Sequence, residues 1–130
     1  MKDKLIDIET AKLAREKGFT EHCDYLYFKT GELSQIGNYN NIEVEMFESY
    51  SAPTQSLLAK WLREEQNLEI SIEKLIGGGT GLSHVYSWNV YRVSDSEGIP
   101  SFDIPGDYVY DSYEQALEKA LLKALELIEN

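Results

Sequence analysis

SAPTQSLLAKWLREEQNLEISIE, residues 51–73, contains a whole helix and the strand that follows it. Ser51 is placed to cap the helix, and Pro53 falls in its first turn, where a missing N–H costs nothing. Leu57, Leu58, Trp61 and Leu62 fall within about 140° of arc at 3.6 residues per turn, so they form one apolar stripe expected to be core. Asn67 ends the helix. Leu68, Ile70 and Ile72 then alternate with Glu69, Ser71 and Glu73, the period of a strand with one apolar face. A 3.6-residue period passing directly into a 2-residue period makes the fold a mixture of α and β.

Upstream, Ile42, Val44 and Met46 alternate with Glu43, Glu45 and Phe47, which reads as a half-buried strand with a largely acidic outer face. The aromatic run Tyr25 to Lys29 (YLYFK) reads as another strand. Between them GELSQIGNYNN, Gly31 to Asn41, has the Gly and Asn content of a loop. The first helix is predicted from about Ile8 to Lys17, with Asp7 as N-cap, Gly18 as the C′ residue, and Phe19 folding back onto it.

Downstream, the glycine run Gly77 to Gly81 leads into LSHVYSWNVYRV. There Tyr86, Trp88 and Val90 point one way and Val85, Ser87, Asn89 and Tyr91 the other, a fourth strand with one face open to solvent. Ser94 to Asp107 carries two prolines and two glycines; it reads as a mobile loop with room for one short strand. In the closing helix Ser112 and Gln115 are spaced for a capping box, and Leu117, Leu121, Ala124 and Ile128 recur at helical spacing. Leu122 falls outside that stripe, either as a lone exposed leucine or as a contact with another chain, for which a homodimer is one form. The order α-β-β-α-β-β-α, with short connections, predicts an α+β domain. Its expected architecture is an antiparallel four-stranded sheet with helices packed mainly on one face.

At 130 residues the chain has the size of one domain, and a hydrophobic fraction of 42% supplies its core. Charges stand at the amino terminus where a secretory signal needs an apolar run, and no 18 consecutive residues are apolar. A cytosolic protein with no membrane association is expected. Cys23 is the only cysteine, so neither an intrachain disulfide nor a cysteine-rich zinc site holds the fold.

Twelve basic and twenty-three acidic residues give a net charge of −11. Met1 to Thr20 holds five basic and four acidic residues, which leaves seven basic and nineteen acidic for the rest. Such a surface repels phosphate backbones, so nucleic-acid binding is disfavoured. It suits a basic protein partner, and it also keeps a small protein soluble.

Gly77, Gly78, Gly79, Thr80 and Gly81 invite a phosphate-loop reading, because closely spaced glycines let backbone N–H groups converge on an anion. No lysine follows them, and the next segment reads as a strand instead of a helix, so a flexible hairpin connection is favoured. Tyr86 and Trp88, with Tyr25, Tyr27 and Tyr91, could offer an aromatic platform for a base, although sheet aromatics more often pack under helices. His22, Cys23 and His84 could in principle meet across neighbouring strands as three metal ligands, but adjacent strand residues such as His22 and Cys23 face opposite ways, which disfavours a metal site. Asp95, Glu97, Asp103, Asp107 and Asp111 match no calcium-loop spacing. No catalytic residue, metal or cofactor is predicted.

SAPTQSLLAKWLREEQNLEISI, IETAKLAREKGF near the start and YDSYEQALEKALLKALELI at the end resemble a group of small uncharacterised proteins encoded by phages and prophages, over about half the chain. IPSFDIPGD followed by SYEQALEKALLKAL is also similar, as a local pattern, to antitoxins of the HicB type. The phage likeness implies an accessory protein of a mobile element. With the charge, it leads to the expectation of a non-enzymatic protein that binds a protein partner through an acidic and aromatic sheet surface including Glu43, Glu45 and Tyr91, with Leu122 of the closing helix as a further candidate contact. The alternative is a small nucleotide- or anion-binding protein using Gly77 to Gly81 with the sheet aromatics.

Overall fold

Gly18 turns the chain out of its first helix with φ of 96°, a left-handed backbone that glycine adopts without a side-chain clash. The N–H of Gly18 reaches Arg15 O at 3.2 Å and that of Phe19 reaches Ala14 O at 3.0 Å, the two bonds of a Schellman termination. Phe19 is thereby folded back and fully buried, its ring meeting that of Trp61 edge to face at 5.4 Å and 83°. Residues 4–41, 49–76, 84–92, 102–106 and 110–128 are described by this computed structural model. Among them are three helices, α1 (Ile8–Glu16), α2 (Gln55–Gln66) and α3 (Tyr113–Glu126). The six strands are β1 (Cys23–Phe28), β2 (Leu33–Tyr39), β3 (Ser49–Ser51), β4 (Glu69–Ile76), β5 (His84–Arg92) and β6 (Phe102–Pro105).

The fold is α+β, but the strands form two three-stranded antiparallel sheets, β2-β1-β3 and β4-β5-β6, in place of the single four-stranded sheet expected. Alternation tells which face of a strand is buried and leaves its partner open. The partner is set here by backbone groups beyond β3. Ala52 N–H donates to Tyr25 O at 2.9 Å, Ile6 N–H to Pro53 O at 3.0 Å and Gln55 N–H to Lys4 O at 2.7 Å. The amino-terminal segment thus takes the continuation of β3, and the chain enters α2 without reaching β4.

Part of the segment expected to be a loop, Gly31 to Asn41, is instead strand β2. A tight turn explains it: Gly31 N–H bonds Phe28 O and Phe28 N–H bonds Glu32 O, each at 2.8 Å, which delivers Leu33 opposite Tyr27. Strand pairing overrides the low strand preference of Gly and Asn. The helix cap also moves. Thr54 Oγ1 accepts from Leu57 N–H at 3.2 Å, whereas Ser51 lies in β3 with its N–H donating to Asn41 Oδ1 at 2.8 Å. The residue before a proline resists helical geometry, so Ala52 stays extended and the helix starts after Pro53. Asn67, at φ 56°, ends α2, and Leu68 N–H closes onto Leu62 O at 3.0 Å.

α3 lies across β4 and β5, with α1 and α2 packed beside it. The core between these layers includes Ile6, Phe19, Leu58, Leu62, Leu68, Leu121 and Leu125, all fully buried. Each such side chain stabilises by about 1.5–3 kcal/mol relative to exposure. Leu58, Trp61 and Leu62 of the predicted stripe are buried and Leu57 is half-buried. At the start of α3, Ser112 Oγ accepts from Gln115 N–H at 3.2 Å, and Gln115 Oε1 accepts in return from Asp111 N–H at 3.1 Å. The strand expected through Ile42, Val44 and Met46, the glycine run Gly77 to Gly81, and most of the loop from Ser94 to Asp107 lie outside the described residues; β6 occupies part of that loop. No helix among the described residues is long and apolar enough to cross a membrane.

Candidate functional site

The register of the second sheet sorts its side chains into rows. Toward α3 stand Ile70, Val90 and Ile104 in one row, and Ile72 beside Trp88 in the next. The alternate residues point away from the helices. There Glu69, Tyr91 and Asp103 are direct cross-strand neighbours, Ser71, Asn89 and Pro105 form the next row, and Glu73 faces Ser87. Asp103 and Glu73 are exposed, and Glu69 and Tyr91 are half-buried. The face thus carries three carboxylates, and among the described residues no lysine or arginine shares it. Lys74 and Arg92 fall on the opposite parity, where Lys74 Nζ sits 5.9 Å from the Tyr86 ring and Arg92 Nη2 donates to Gln66 O at 3.3 Å.

Trp88, proposed from sequence as part of a stacking platform, belongs to the core at 9% exposure. Its indole is covered by Gly106, where a Cβ would lie only 2.2 Å from the ring. Trp88 therefore offers no open ring face for stacking. Tyr86 is half-buried and bridges through its backbone to Tyr110. Glu43 and Glu45 lie outside the described residues, as do all five residues of the glycine run. Tyr91 stands on the outward face, opposite to Tyr86 and Trp88, with which the platform reading had grouped it. Leu122 is half-buried; it lies one turn beyond Glu118 and helps line a cleft of about 260 Å³ together with Lys4, Thr10, Tyr110 and Lys119.

Glu118 was not anticipated as a site residue. Its carboxylate is buried at 7% exposure, accepting from Asp7 N–H at 2.9 Å, Thr10 Oγ1 at 2.5 Å and Gln55 Nε2 at 3.0 Å. Gln55 Nε2 also donates to Glu114 O at 2.9 Å. The signal was present in the pattern, because a 100° step count from Leu117 places Glu118 beside Leu125 inside the apolar stripe. A charged residue there is buried only with partners. The node fastens α1, α2 and α3 to one another, and its donors all belong to the chain itself.

A second groove, about 320 Å³, runs past Leu5, His22, Cys23, Tyr25, Pro53 and Leu57. Burial, followed by the charges of Asp24 and Glu21, pushes the Cys23 thiol up to about 12, which keeps it protonated and poorly nucleophilic. Burial likewise raises the Tyr27 phenol, helped by Asp7 and Glu118, and its hydroxyl donates to Ile6 O at 2.7 Å. Among the described residues no group of three or more His, Cys, Asp or Glu side chains is arranged to hold a metal ion. Comparison with protein-family models, curated proteins and solved structures found no match.

Proposed function

We propose that this chain is a non-enzymatic accessory protein, of the phage or mobile-element kind its sequence resembles, that binds a basic protein partner on the outer face of the β4-β5-β6 sheet. The observation that carries the reading is the placement of Tyr91 between Glu69 and Asp103 on a face bearing a third carboxylate, Glu73. Tyrosine offers large contact area at low entropy cost, and surrounding carboxylates steer a cationic surface toward it. The protonated, buried Cys23 gives no support to nucleophilic catalysis. The nucleotide-binding alternative draws on a platform whose largest ring, Trp88, is committed to the core.

Affinity capture from host cells tests the proposal when the parent protein is compared with Glu69→Gln/Asp103→Asn at low and high salt. A specific partner, retained by the parent, weakened by salt and lost from the variant, is the expected result. A partner retained equally by both proteins would place the interaction elsewhere on the molecule.

A further inference from the structure

We infer that the Glu69, Tyr91 and Asp103 row is suited to a guanidinium group, so that the partner presents arginine in preference to lysine; this rests on the reading that the outer sheet face docks a basic partner. The three residues occupy adjacent strands in register, so their Cα atoms lie roughly 5 Å apart along the hydrogen-bonding direction. Strand side chains stand close to perpendicular to the sheet, which sets a carboxylate on each side of the tyrosine.

A carboxylate pair alone would attract any cation. The ring between them is what separates one cation from another. Guanidinium is planar, weakly hydrated and able to stack on an aromatic face while its N–H groups fork toward carboxylates; an ammonium is a compact, strongly hydrated point charge. Neither Glu69 nor Asp103 has an ion-pair partner among the described residues, and Arg92, next in the chain to Tyr91, points to the other side of the sheet. The row therefore keeps its charge for a group from outside. Ser71 and Asn89, in the neighbouring row, add neutral acceptors for remaining N–H groups.

Arginine and lysine homopeptides of equal length, titrated calorimetrically against the intact protein, serve as probes. The arginine peptide is expected to bind roughly 5-fold tighter, the scale of an exposed to partly desolvated cation–π contact. Tyr91→Leu should bring the two peptides to equal affinity and Tyr91→Phe should retain the preference, each at an unfolding midpoint close to the parent's. Equal affinities for the parent, or an undiminished preference in Tyr91→Leu, would overturn the guanidinium assignment. Failure of the docking reading has a different signature. Glu69→Gln/Asp103→Asn is compared with Glu64→Gln/Glu65→Gln, which removes the same charge from exposed positions on α2. Equal weakening of both peptides by the two double variants would show attraction by net charge alone.

Discussion

Thr10 Oγ1 donates to Glu118 Oε2 at 2.5 Å across 108 residues of chain, and through this contact a carboxylate from α3 serves the N-terminus of α1. Asp7 holds the N-cap position of α1, yet its side chain makes no capping bond; its N–H instead donates to the same Glu118 oxygen. A negative charge at a helix N-terminus is favoured by the helix dipole, and the donors of Thr10 and Gln55 complete the shell the buried anion needs.

Glu118→Ala should destabilise the protein by about 2–5 kcal/mol, because the Thr10 hydroxyl and the Asp7 N–H lose their acceptor, at about 1–3 kcal/mol for each group left unsatisfied, and Gln55 Nε2 keeps only its bond to Glu114 O. Glu118→Gln keeps the volume but sets an NH2 against donors, so it too should lose stability. Urea denaturation reads both changes. Midpoints within error of the parent's would mean the node contributes nothing net.

Trp61→Ala removes a ring that is 6% exposed and packed edge to face on Phe19. The expected loss is about 3–5 kcal/mol, out of about 5–15 kcal/mol typical for a domain. A surface anchor would behave oppositely, with partner binding weakened and the urea midpoint unchanged.

Much of this arrangement was legible in the sequence because periodicity reports local geometry and burial directly. The stripe of Leu58, Trp61 and Leu62, the Gly18 termination and the Ser112 cap each follow from residues within a turn or two of one another. Strand partnership is a different kind of information. Nothing within β3 says that its continuation will be taken by residues 4–6, and that competition is what split one expected sheet into two. Alternation set Tyr91 opposite to Tyr86 and Trp88, whereas which side faces outward depends on helix packing, and the flanking of Tyr91 by Glu69 and Asp103 depends on register between three strands. Leu122 was set on the far side of α3 by a stripe counted without Leu125 and Glu118; including them widens the buried arc until Leu122 borders it.

Gly106→Ala should destabilise by about 1–3 kcal/mol, the usual range for forcing a methyl into a packed site. The new Cβ would lie 2.2–2.5 Å from three atoms of the Trp88 indole, a rigid ring already embedded in the core. Gly106 cannot easily retreat, since its N–H is bonded to Trp88 O at 2.6 Å. In a Trp88→Leu background the same change should cost much less, and a thermodynamic cycle measures the coupling. Additive effects would show that the two residues do not compete for the space.

Cys23 links stability to alkaline pH. Its thiol ionises near 9.0 when unperturbed and is pushed up to about 12 in the fold, first by burial and then by Asp24 and Glu21. Between those values the unfolded chain has lost a proton that the folded chain keeps, so stability must fall as pH rises, by up to about 1.4 kcal/mol per pH unit. Well below pH 9.0 both states hold the proton and the group contributes no slope. The raised Tyr27 phenol acts in the same direction, which is why the parent's own alkaline slope is insufficient evidence. Urea unfolding of the parent and of Cys23→Ala, followed from neutral pH to pH 11, isolates the thiol: the parent should lose stability more steeply. Thiol-reactive dye at mildly alkaline pH gives an independent reading, expected to be slow with the native protein and fast in denaturant. Identical alkaline slopes together with rapid native labelling would mean that Cys23 ionises as freely in the fold as in the unfolded chain.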